Sequence, residues 1–517
     1  MHRNCADCNW IFRWRGAGLR LIELIGESAY RTAQAAGGIP PDLGGGPDIS
    51  ALTADSREVQ PGALFAALPG SVHDGRKFIS QAVAAGAAAV LAPSDIRPDS
   101  VRPAVLIAED NPRRQLALAA AAFFGTQPGT VVAVTGTNGK TSVATFLQQI
   151  WTHLGLRAAS MGTLGVSSGN ERLDSGPALT TADPIVLHRT LCDLAKAGID
   201  FLAMEASSHG LDQHRLDGVR LSAGALTNIS RDHLDYHGGI EAYRKAKLRL
   251  FENLLPEGAA AVACHETPDQ ERVAATAVRR RLNFMTYGIE AGDVYCPEAA
   301  IAGTGWRLTV SVAGRTIDTE FPLPGRFQLL NALCALALAV GCGADPESAV
   351  AALPSLKSVP GRLEVAARLP NGATAIVDFA HTPDALRTVL KALRPFVGGR
   401  LIVLFGCGGD RDAGKRSVMG EIAARFADHV IVTDDNPRSE DAAAIRQQVL
   451  AGCPAAQEVG DRAEAIGGAI AGLEAGDMLV VAGKGHETGQ IVGQTVLPFS
   501  DFEAVRDAAR RRGGATP

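Results

Sequence analysis

The chain has 517 residues, of which 46% are hydrophobic and 20% are charged, so it is long enough for about three domains and can bury their cores. Its 50 basic and 55 acidic residues give a net charge of −5, which argues against a protein that binds nucleic acid mainly through positive charge. No apolar run reaches the roughly 18 residues of a membrane helix, and no apolar signal core opens the chain. We therefore expect a soluble, cytoplasmic protein with neither a membrane nor a nucleic-acid partner.

Residues 1–18 differ in composition from everything that follows. They hold two of the four tryptophans and two of the nine cysteines. Cys5 and Cys8 form a CxxC pair, but no second pair follows at the spacing of a zinc site, so unpaired thiols are expected. We interpret residues 1–18 as an extension or a mis-assigned start.

From Leu19 onward the chain predicts a succession of strands and helices. Short apolar runs bounded by Gly and Pro fill residues 19–127, and buried strands are predicted at residues 131–136, 201–205 and 223–228. Four further apolar runs after residue 359 are each followed by polar residues. This alternation is typical of parallel sheets with functional groups at the carboxyl ends of their strands. We expect an α/β protein of three domains, with a central P-loop-type parallel sheet and a Rossmann-like C-terminal domain.

A glycine-rich loop follows the first of these strands and precedes the helix-like stretch SVATFLQQIW. Its glycines let backbone N–H groups and a helix N-terminus surround phosphate, while Lys140 supplies positive charge and the Thr141 hydroxyl can hold Mg²⁺. The general pattern G-x-x-x-x-G-K-[ST] is not met, because Val134 occupies its first glycine position. The strand and helix around the loop favour phosphate binding over a plain turn. The residues of this predicted site are Gly136, Thr137, Asn138, Gly139, Lys140, Thr141 and Ser142.

Motifs in a fixed order along the chain resemble the Mur ligase family, and within it the MurE type. They extend over nearly the whole chain after residue 18, which makes the resemblance far more specific than the phosphate loop alone. The motifs are DSREVQPGALFAALPG, TGTNGKTS, MEASSHGLDQHRL, TNISRDHLDYHG, YRKAKLRLF, PGRFQLLNALCALA, PGRLE, DFAHTPDAL, GCGGDRDAGKR, DDNPRSE and AGKGHE.

The resemblance implies a UDP-substrate-binding domain at residues 19–127, a central ATP-binding domain at 128–358 and an amino-acid-binding domain at 359–517. The implied enzyme is an ADP-forming ligase of peptidoglycan precursor synthesis that uses ATP and Mg²⁺. It would add meso-2,6-diaminopimelate to the D-glutamyl γ-carboxylate of UDP-N-acetylmuramoyl-L-alanyl-D-glutamate through an acyl phosphate. We expect it to be a monomer.

The resemblance also implies a catalytic and metal-binding set. Glu205 at the end of FLAME would hold Mg²⁺, although from the residues alone a helix-capping glutamate is an equal alternative. His233 would bind a second Mg²⁺, whereas its spacing alone also fits a capped turn with solvated histidines. Lys247 would be carbamylated, which turns a cation into an anionic oxygen ligand, whereas its own context predicts a solvated helical lysine. Thr141, Glu205, His233 and Lys247 are thus the expected metal ligands, and Lys140, Lys247 and His233 the catalytic residues.

Further contacts are carried over from the family motifs. The segment SVHDGR departs from the HQADGR expected around the uridine contacts. Taken singly, each of the serines and threonines would be a cap or turn residue, and His381 a cap before Pro383. The expected UDP-substrate contacts are Ser56, Ser71, Val72, His73, Thr180, Thr181, Ser207, Gln213 and Arg215, and the expected ATP contacts of the second and third domains are Asn331, Arg362, Asp378 and His381.

The choice of amino acid depends on the segment Asp435-Asn436-Pro437-Arg438, which follows the strand HVIVT. Arg438 can bind the distal carboxylate of diaminopimelate with two parallel bonds, and Pro437 stiffens the loop. Asp435 and Asn436 are expected to accept hydrogen bonds from the distal ammonium. By resemblance, Arg411, Gly483 and Glu487 complete the site. The alternative is that Arg438 is a surface residue after a proline turn.

Two rival functions share the phosphate loop. Another ligase of the same superfamily, such as a folylpolyglutamate synthetase or a different muramoyl ligase, would not be expected to combine DNPR with GKGHE. A nucleotide-dependent switch would have little use for Lys247, His233 and a third α/β domain.

Overall fold

The computed structural model describes residues 18–70, 74–169, 171–173, 180–230 and 232–515, with backbone alone at 171–173 and at 235. The expected contacts Ser71, Val72 and His73 lie outside these residues, as do Cys5, Cys8 and all of the proposed extension except Gly18. Within the described residues, no helix is long and apolar enough to cross a membrane.

The chain divides into two compact units. The first comprises the residues up to Gln127 together with 182–197 and 209–219, and the second comprises the remainder. The first break therefore falls between Gln127 and Pro128, and two segments of the expected central domain belong to the first unit. The expected division of the second unit near residue 358 stays a prediction.

The described residues up to Gln127 form a small parallel sheet in the order β3-β4-β5-β6, beside the short antiparallel pair β1-β2. The alanine-rich runs of the sequence give β4 and β5, which are almost entirely buried. The elements are β1 (Leu19–Arg20), α1 (Leu21–Ile25), α2 (Glu27–Ala35), β2 (Asp48–Ile49), β3 (Ala51–Thr53), β4 (Ala63–Ala66), α3 (Ile79–Ala84), β5 (Ala89–Pro93), β6 (Val105–Glu109) and α4 (Pro112–Phe124).

The next segment carries a long sheet whose centre is parallel, as predicted. Its described strands run in the order β10-β9-β8-β11-β7-β12-β13-β14-β15-β16-β17, with antiparallel strands at both ends. The elements are β7 (Thr130–Thr135), α5 (Lys140–His153), β8 (Ala158–Gly162), β9 (Gly165–Ser168), β10 (Glu171–Leu173), α6 (Pro184–Lys196), β11 (Phe201–Glu205), α7 (Ser208–Asp212), β12 (Ala223–Leu226), α8 (Leu234–His237), α9 (Ile240–Arg249), β13 (Ala260–Cys264), α10 (Gln270–Arg280), β14 (Asn283–Gly288), β15 (Val294–Ala302), β16 (Gly305–Val312), β17 (Arg315–Phe321), α11 (Arg326–Gly341) and α12 (Pro346–Ala351).

Helices α5 and α11 pack against each other and against this sheet. Helix α11 is apolar around its whole circumference, because Ala and Leu fill most of its positions, and such a helix must be buried on all sides. Its burial brings Asn331 to the phosphate loop at the carboxyl end of β7.

The remaining residues form a sheet of order β18-β19-β23-β20-β21-β22, parallel except for β18 at its edge. Leu401, Val403 and Phe405 of β20 pack on one side, and Ile402 and Leu404 pack on the other, as alternation along a strand requires. The elements are β18 (Glu364–Arg368), β19 (Thr374–Asp378), α13 (Pro383–Leu393), β20 (Leu401–Phe405), α14 (Lys415–Phe426), β21 (His429–Val432), α15 (Ala442–Leu450), β22 (Gln457–Glu458), α16 (Arg462–Ala471), β23 (Met478–Ala482), β24 (Gly489–Val492), β25 (Thr495–Pro498) and α17 (Asp501–Arg511).

Candidate active site

The glycine-rich loop lies between β7 and α5, as the sequence predicts. Gly136 and Gly139 have φ values of 144° and 91°, which side chains other than glycine rarely adopt. A Cβ atom on Gly136 would lie 1.9 Å from Thr227 Oγ1, and one on Gly139 would lie 2.5 Å from Asn331 Oδ1. Both positions therefore require glycine for conformation and for space. Asn331 lies against the loop, and its role as a nucleotide contact stays a prediction.

A neighbouring strand end fixes the loop from the side. Thr227 Oγ1 donates to Asn138 O at 2.6 Å, and the Asn228 side chain accepts from Asn138 N at 3.1 Å and donates to Asn138 O at 3.1 Å. Thr227 and Asn228 follow β12 directly. They hold the backbone of the loop in shape, so that it is organised before any phosphate binds.

Two lysines meet at one carbonyl oxygen of the loop. Lys140 Nζ donates to Gly136 O and to Thr137 O, both at 2.8 Å. Lys247 Nζ, from α9, also donates to Gly136 O at 2.7 Å. The Lys247 side chain is 1% exposed, and its amine lies 4.5 Å from the centre of the Tyr243 ring. The alternative of a solvated helical lysine at 247 does not hold, because α9 turns this residue inward, while its carbamylation stays a prediction.

Burial lowers the pKa of both amines. It lowers the pKa of Lys247 well below the ordinary range of lysine, and the positive charge of Lys140 lowers it further, while Asp232 opposes the shift. Burial also lowers the pKa of Lys140, against the opposing charges of Glu205 and Asp232. A neutral amine at Lys247 is consequently far more accessible than in a surface lysine.

Glu205 ends β11 beside the start of α5. The residue is 2% exposed, and its Oε1 accepts from Thr141 Oγ1 at 3.0 Å and from Thr163 N at 2.8 Å. A Cβ atom on Gly162 would lie 2.1 Å from the same oxygen. The carboxylate is thus held against the Thr141 hydroxyl, and the two expected metal ligands are brought together; the helix-capping alternative does not describe these contacts.

His233 lies in the segment between β12 and α8. Its φ is 51°, its side chain is half exposed, and its Nε2 is 3.5 Å from Asp232 Oδ2. The charge of Asp232 opposes the lowering of the pKa of Lys140 and of Lys247 by burial, so this segment acts electrostatically on the lysine pair. Within the described part of the chain, no group of three or more His, Cys, Asp or Glu side chains is arranged to hold a metal ion.

The expected nucleotide contacts of the third segment cluster at the start of β18 and the end of β19. The Arg362 guanidinium lies 4.8 Å from the centre of the Phe379 ring, and the buried Asp378 carboxylate accepts from the backbone N–H groups of Leu363 and Ala380 at 2.8 Å each. Burial raises the pKa of Asp378. His381 is exposed, with Nδ1 2.9 Å from Phe379 O. The structure brings these residues into one cluster.

The expected UDP-substrate contacts are divided between the two units. Ser56, Gln213 and Arg215 belong to the first unit, where Ser56 Oγ donates to Gln81 Oε1 at 3.2 Å and Arg215 Nη2 donates to Gln213 Oε1 at 2.8 Å.

The others belong to the second unit. Thr180 Oγ1 is 2.9 Å from Thr163 Oγ1, and Thr181 Oγ1 accepts from Ser207 N at 3.0 Å. Thr180, Thr181 and Ser207 therefore lie beside Glu205.

The predicted amino-acid loop follows β21. Asp435, Asn436 and Pro437 are buried, and Arg438 is half buried with a φ of 53°. Arg438 Nη1 donates to Gly409 O at 2.7 Å. This bond uses one of the five N–H groups of the guanidinium. Arg438 is therefore not a freely solvated surface residue, and Arg411 lies exposed on the neighbouring loop after β20.

The GKGHE segment packs against this loop. Gly483 has a φ of 116°, and a Cβ atom there would lie 2.9 Å from Asp435 Oδ2. Asn436 Nδ2 donates to Glu487 Oε2 at 2.9 Å. The expected residues from both segments are thus brought together. The oxygen of Asn436 already accepts from Ile491 N at 2.9 Å and Lys484 Nζ at 3.1 Å, so the expectation that it accepts from a substrate ammonium needs correction.

Several residues of the site escaped prediction from the sequence. Lys484 is fully buried beside Asn436, yet its neighbours in GKGHE are polar and gave no sign of burial. Thr163, Thr227 and Asn228 follow or precede short strands, and only their place at strand ends could have indicated them.

Known proteins resemble the chain over most of its length. The family described as the Mur ligase middle domain matches residues 134–339, the Mur ligase, glutamate ligase domain matches 361–485, and the Mur ligase family, catalytic domain matches 48–124. The UDP-N-acetylmuramoyl-L-alanyl-D-glutamate–2,6-diaminopimelate ligase of Bradyrhizobium diazoefficiens is 52% identical over 469 residues, which are 90% of this chain and 96% of that protein.

Solved structures resemble it as well. A structure of a protein with that same name has 34% identity and a TM-score of 0.70, and covers 90% of this chain and 96% of its own. The MurF ligase of Thermotoga maritima, solved in complex with ADP, has 20% identity and a TM-score of 0.58, and covers 89% of this chain and 97% of its own. The latter likeness concerns the fold alone.

Proposed function

This chain belongs to the Mur ligase family, and we propose that it is an ATP-dependent ligase of peptidoglycan precursor synthesis. It adds meso-2,6-diaminopimelate to the D-glutamyl γ-carboxylate of UDP-N-acetylmuramoyl-L-alanyl-D-glutamate. The observation that carries the proposal is the meeting of Lys140 and Lys247 at Gly136 O, next to the Thr141–Glu205 pair. The names of the relatives and the DNPR loop support the choice of amino acid.

The reaction has two steps. The substrate γ-carboxylate attacks the γ-phosphate of ATP, which breaks the bond to the β-phosphate and gives an acyl phosphate and ADP. The amine of diaminopimelate then attacks the acyl carbon and displaces inorganic phosphate through a tetrahedral intermediate. Two anions must approach each other in the first step, and Lys140 at the phosphate loop reduces their repulsion and stabilises charge on the phosphoryl group.

The oxygen donors of the site suit Mg²⁺, which prefers hard oxygen ligands. The Thr141 hydroxyl and the Glu205 carboxylate, whose oxygens are 3.0 Å apart, would hold it, and the bound ion would supply charge neutralisation for phosphoryl transfer. Thr163 N and the lack of a side chain at Gly162 keep the Glu205 carboxylate in place. The amine of Lys247 does not itself suit Mg²⁺.

Carbamylation removes that mismatch. The buried amine of Lys247 has a lowered pKa, so its neutral form can attack CO₂, giving a carbamate and releasing a proton. The product is an anion with two oxygens, which attracts Lys140 where the ammonium form repels it. His233 on the neighbouring segment remains the proposed second metal contact.

Omission experiments test the proposal. Phosphate release from ATP should require the UDP-dipeptide and diaminopimelate together, because the acyl phosphate forms only on the first and is consumed only by the second. A nucleotide switch would hydrolyse ATP without either, and a ligase of another specificity would not respond to this pair. Phosphate release that is independent of both substrates would contradict the proposal.

A further inference from the structure

The amino-acid site contains a buried cation that no step of the proposed reaction uses. Lys484 follows β23 and is 0% exposed. Its Nζ donates to Asn436 Oδ1 at 3.1 Å, to Glu487 Oε2 at 2.9 Å and to Gly489 O at 2.7 Å. An ammonium has three N–H groups, so these three acceptors use all of them. Burying a lysine this completely lowers the stability of the folded state unless the ammonium is fully paired. Here the partners are Asn436 of the loop after β21, Glu487 of the loop after β23 and Gly489 of β24.

The bond from Lys484 fixes which way the Asn436 amide faces. Lys484 Nζ and the backbone N–H of Ile491 can only donate, so the Asn436 atom that they contact must be its oxygen. The carboxylate of Glu487 accepts from the other end of the amide, which must then be the nitrogen. Three partners thus agree on one orientation. The amide presents its remaining N–H as a donor, suited to a carboxylate of the substrate.

The same lysine fixes Glu487. Lys484 and Asn436 both donate to Oε2, so Oε1 is the oxygen that a substrate ammonium would contact. Burial acts to raise the pKa of Glu487, but the hydrogen bonds from Lys484 and Asn436, together with the charges of Lys484 and His486, more than offset it, so the pKa is lowered from the ordinary value of glutamate. The carboxylate is therefore charged at neutral pH, as a counter-charge for an ammonium must be.

Lys484 also ties β24 to the loop. Gly489, which accepts from Lys484, begins β24, and Gln490 Nε2 donates to Asp435 O at 2.7 Å. Arg438 N donates to Ile491 O at 3.0 Å. One ammonium group is therefore the point at which the loop after β21, the loop after β23 and β24 meet.

We propose that Lys484 is a positioning residue for amino-acid selection, which orients the Asn436 amide toward a carboxylate and the Glu487 carboxylate toward an ammonium of the incoming substrate. The inference rests on the proposed function, because it concerns the same site. Lys484 does not contact the substrate; it acts through Asn436 and Glu487. Losing it should harm recognition of a zwitterionic distal end more than it harms ATP use.

The test compares Lys484→Met with Arg400→Met. Arg400 pairs with Asp477 at the amino ends of β20 and β23, the opposite edge of the same sheet, so it controls for the loss of a cation from this fold. For Lys484→Met we expect the KM for meso-diaminopimelate to rise, and the preference for it over L-lysine to fall, each by about tenfold or more, the scale of one hydrogen bond to a charged group. The KM values for ATP and the UDP-dipeptide should stay near wild type. Arg400→Met should keep the wild-type preference.

Each outcome decides the matter. A wild type that prefers diaminopimelate, with a Lys484→Met variant of unchanged preference and KM, would overturn this inference alone. A wild type that does not ligate diaminopimelate would overturn the proposed function and this inference with it. If Lys484→Met is insoluble, Lys484→Gln keeps part of the donor capacity and should lower the preference part of the way; wild-type preference in that variant would equally overturn the inference.

Discussion

The amines of Lys140 and Lys247 share one acceptor, Gly136 O, so the charge state of each depends on the other. Two ammonium groups at this distance from a common oxygen repel, and burial removes the water that would screen them. A carbamate on Lys247 exchanges that repulsion for attraction. The buried amine, and not the motif alone, is the physical reason to expect the modification.

Lys247→Ala should abolish most ligation, because it removes the group that would carry the carbamate. Short carboxylates such as acetate should restore part of the activity by taking the place of the carbamate oxygens. Lys245→Ala is the matched control, since Lys245 is exposed on the same helix and should be replaceable without loss. Initial rates of phosphate release measure all three; full activity in Lys247→Ala would refute the carbamate.

Lys140→Ala tests the phosphate loop. The loop backbone is held by Thr227 and Asn228, so the variant should fold while losing the cation at the outer phosphates. We expect turnover to fall on the order of a hundredfold or more, the range for losing one group that stabilises transition-state charge. Calorimetric binding of the UDP-dipeptide should persist. Unchanged turnover would remove Lys140 from the mechanism.

Glu364 should make stability depend on pH. Burial raises its pKa to about 7, although it accepts from Gly361 N at 2.7 Å. Between about pH 4.5 and 7 the unfolded chain releases this proton first, so the carboxyl makes the folded state less stable as pH rises through that window.

Glu364→Gln should remove this dependence, because the amide keeps the acceptor oxygen and has no proton to lose. The wild type should lose stability relative to Glu364→Gln as pH rises. The difference between their free energies of unfolding should therefore change by about 2–3 kcal/mol in favour of the variant between pH 5 and pH 8. Urea unfolding at the two pH values measures it, with Glu421→Gln, an exposed carboxylate, as control. Parallel curves for wild type and Glu364→Gln would contradict the assignment.

At the scale of elements, a partly buried ion pair between Arg416, at the start of α14, and Glu440 links the two loops that carry Arg411 and Arg438. The Arg416 side chain is 1% exposed and binds both oxygens of Glu440 at 2.9 Å, and Arg416 Nη2 donates to Gly408 O at 3.1 Å. Glu440 Oε1 also accepts from Asp410 N at 2.6 Å. The Arg416–Glu440 pair therefore adds to the other hydrogen bonds between the loop after β20 and the loop after β21, such as that from Ser439 Oγ to Asp410 Oδ1 at 2.6 Å.

Arg416→Met should loosen both loops together. It leaves Glu440, which is about one-third exposed, without its main partner. We therefore expect the free energy of unfolding to fall by about 1–3 kcal/mol, less than for a fully buried pair. The double variant Arg416→Met with Glu440→Gln should lose less than the sum of the two single variants, since the second change removes the unpaired charge. Strictly additive losses in thermal unfolding would show that the pair does not couple the loops.

The order of elements was largely predictable, because buried parallel strands appear as uninterrupted apolar runs. The runs at 131–136, 201–205 and 401–405 are strands β7, β11 and β20, confirmed as parallel. The antiparallel strands β15 to β17 were not predicted. Most residues of β15 and β17 are exposed, and β16 alternates roughly between buried and partly exposed positions, so none of the three strands is continuously buried like the central ones.

At the scale of the whole molecule, the sequence could predict candidate site residues, whose roles stay predictions, but not what surrounds them. The motifs led to Lys140, Lys247, Glu205 and Arg438, yet the burial of Lys247 depends on contacts between residues 111 positions apart. The first unit includes residues 182–197 and 209–219. Domain boundaries drawn as continuous stretches of the chain could not predict this arrangement. The domain boundaries and the cytoplasmic monomer stay predictions.

The most direct test of the central claim is a competition between meso-diaminopimelate and L-lysine at equal concentration, with ATP, Mg²⁺ and UDP-N-acetylmuramoyl-L-alanyl-D-glutamate, and with the product identified by mass. Lysine lacks the distal carboxylate, so it would give no partner to the remaining N–H groups of the Arg438 guanidinium and the Asn436 amide, and sites built to bond a polar group strongly reject analogues without it. The wild type should form almost only the diaminopimelate product, and Arg438→Ala should lose that preference. Equal use of both amino acids by the wild type, or an Arg438→Ala variant with unchanged preference, would contradict the account.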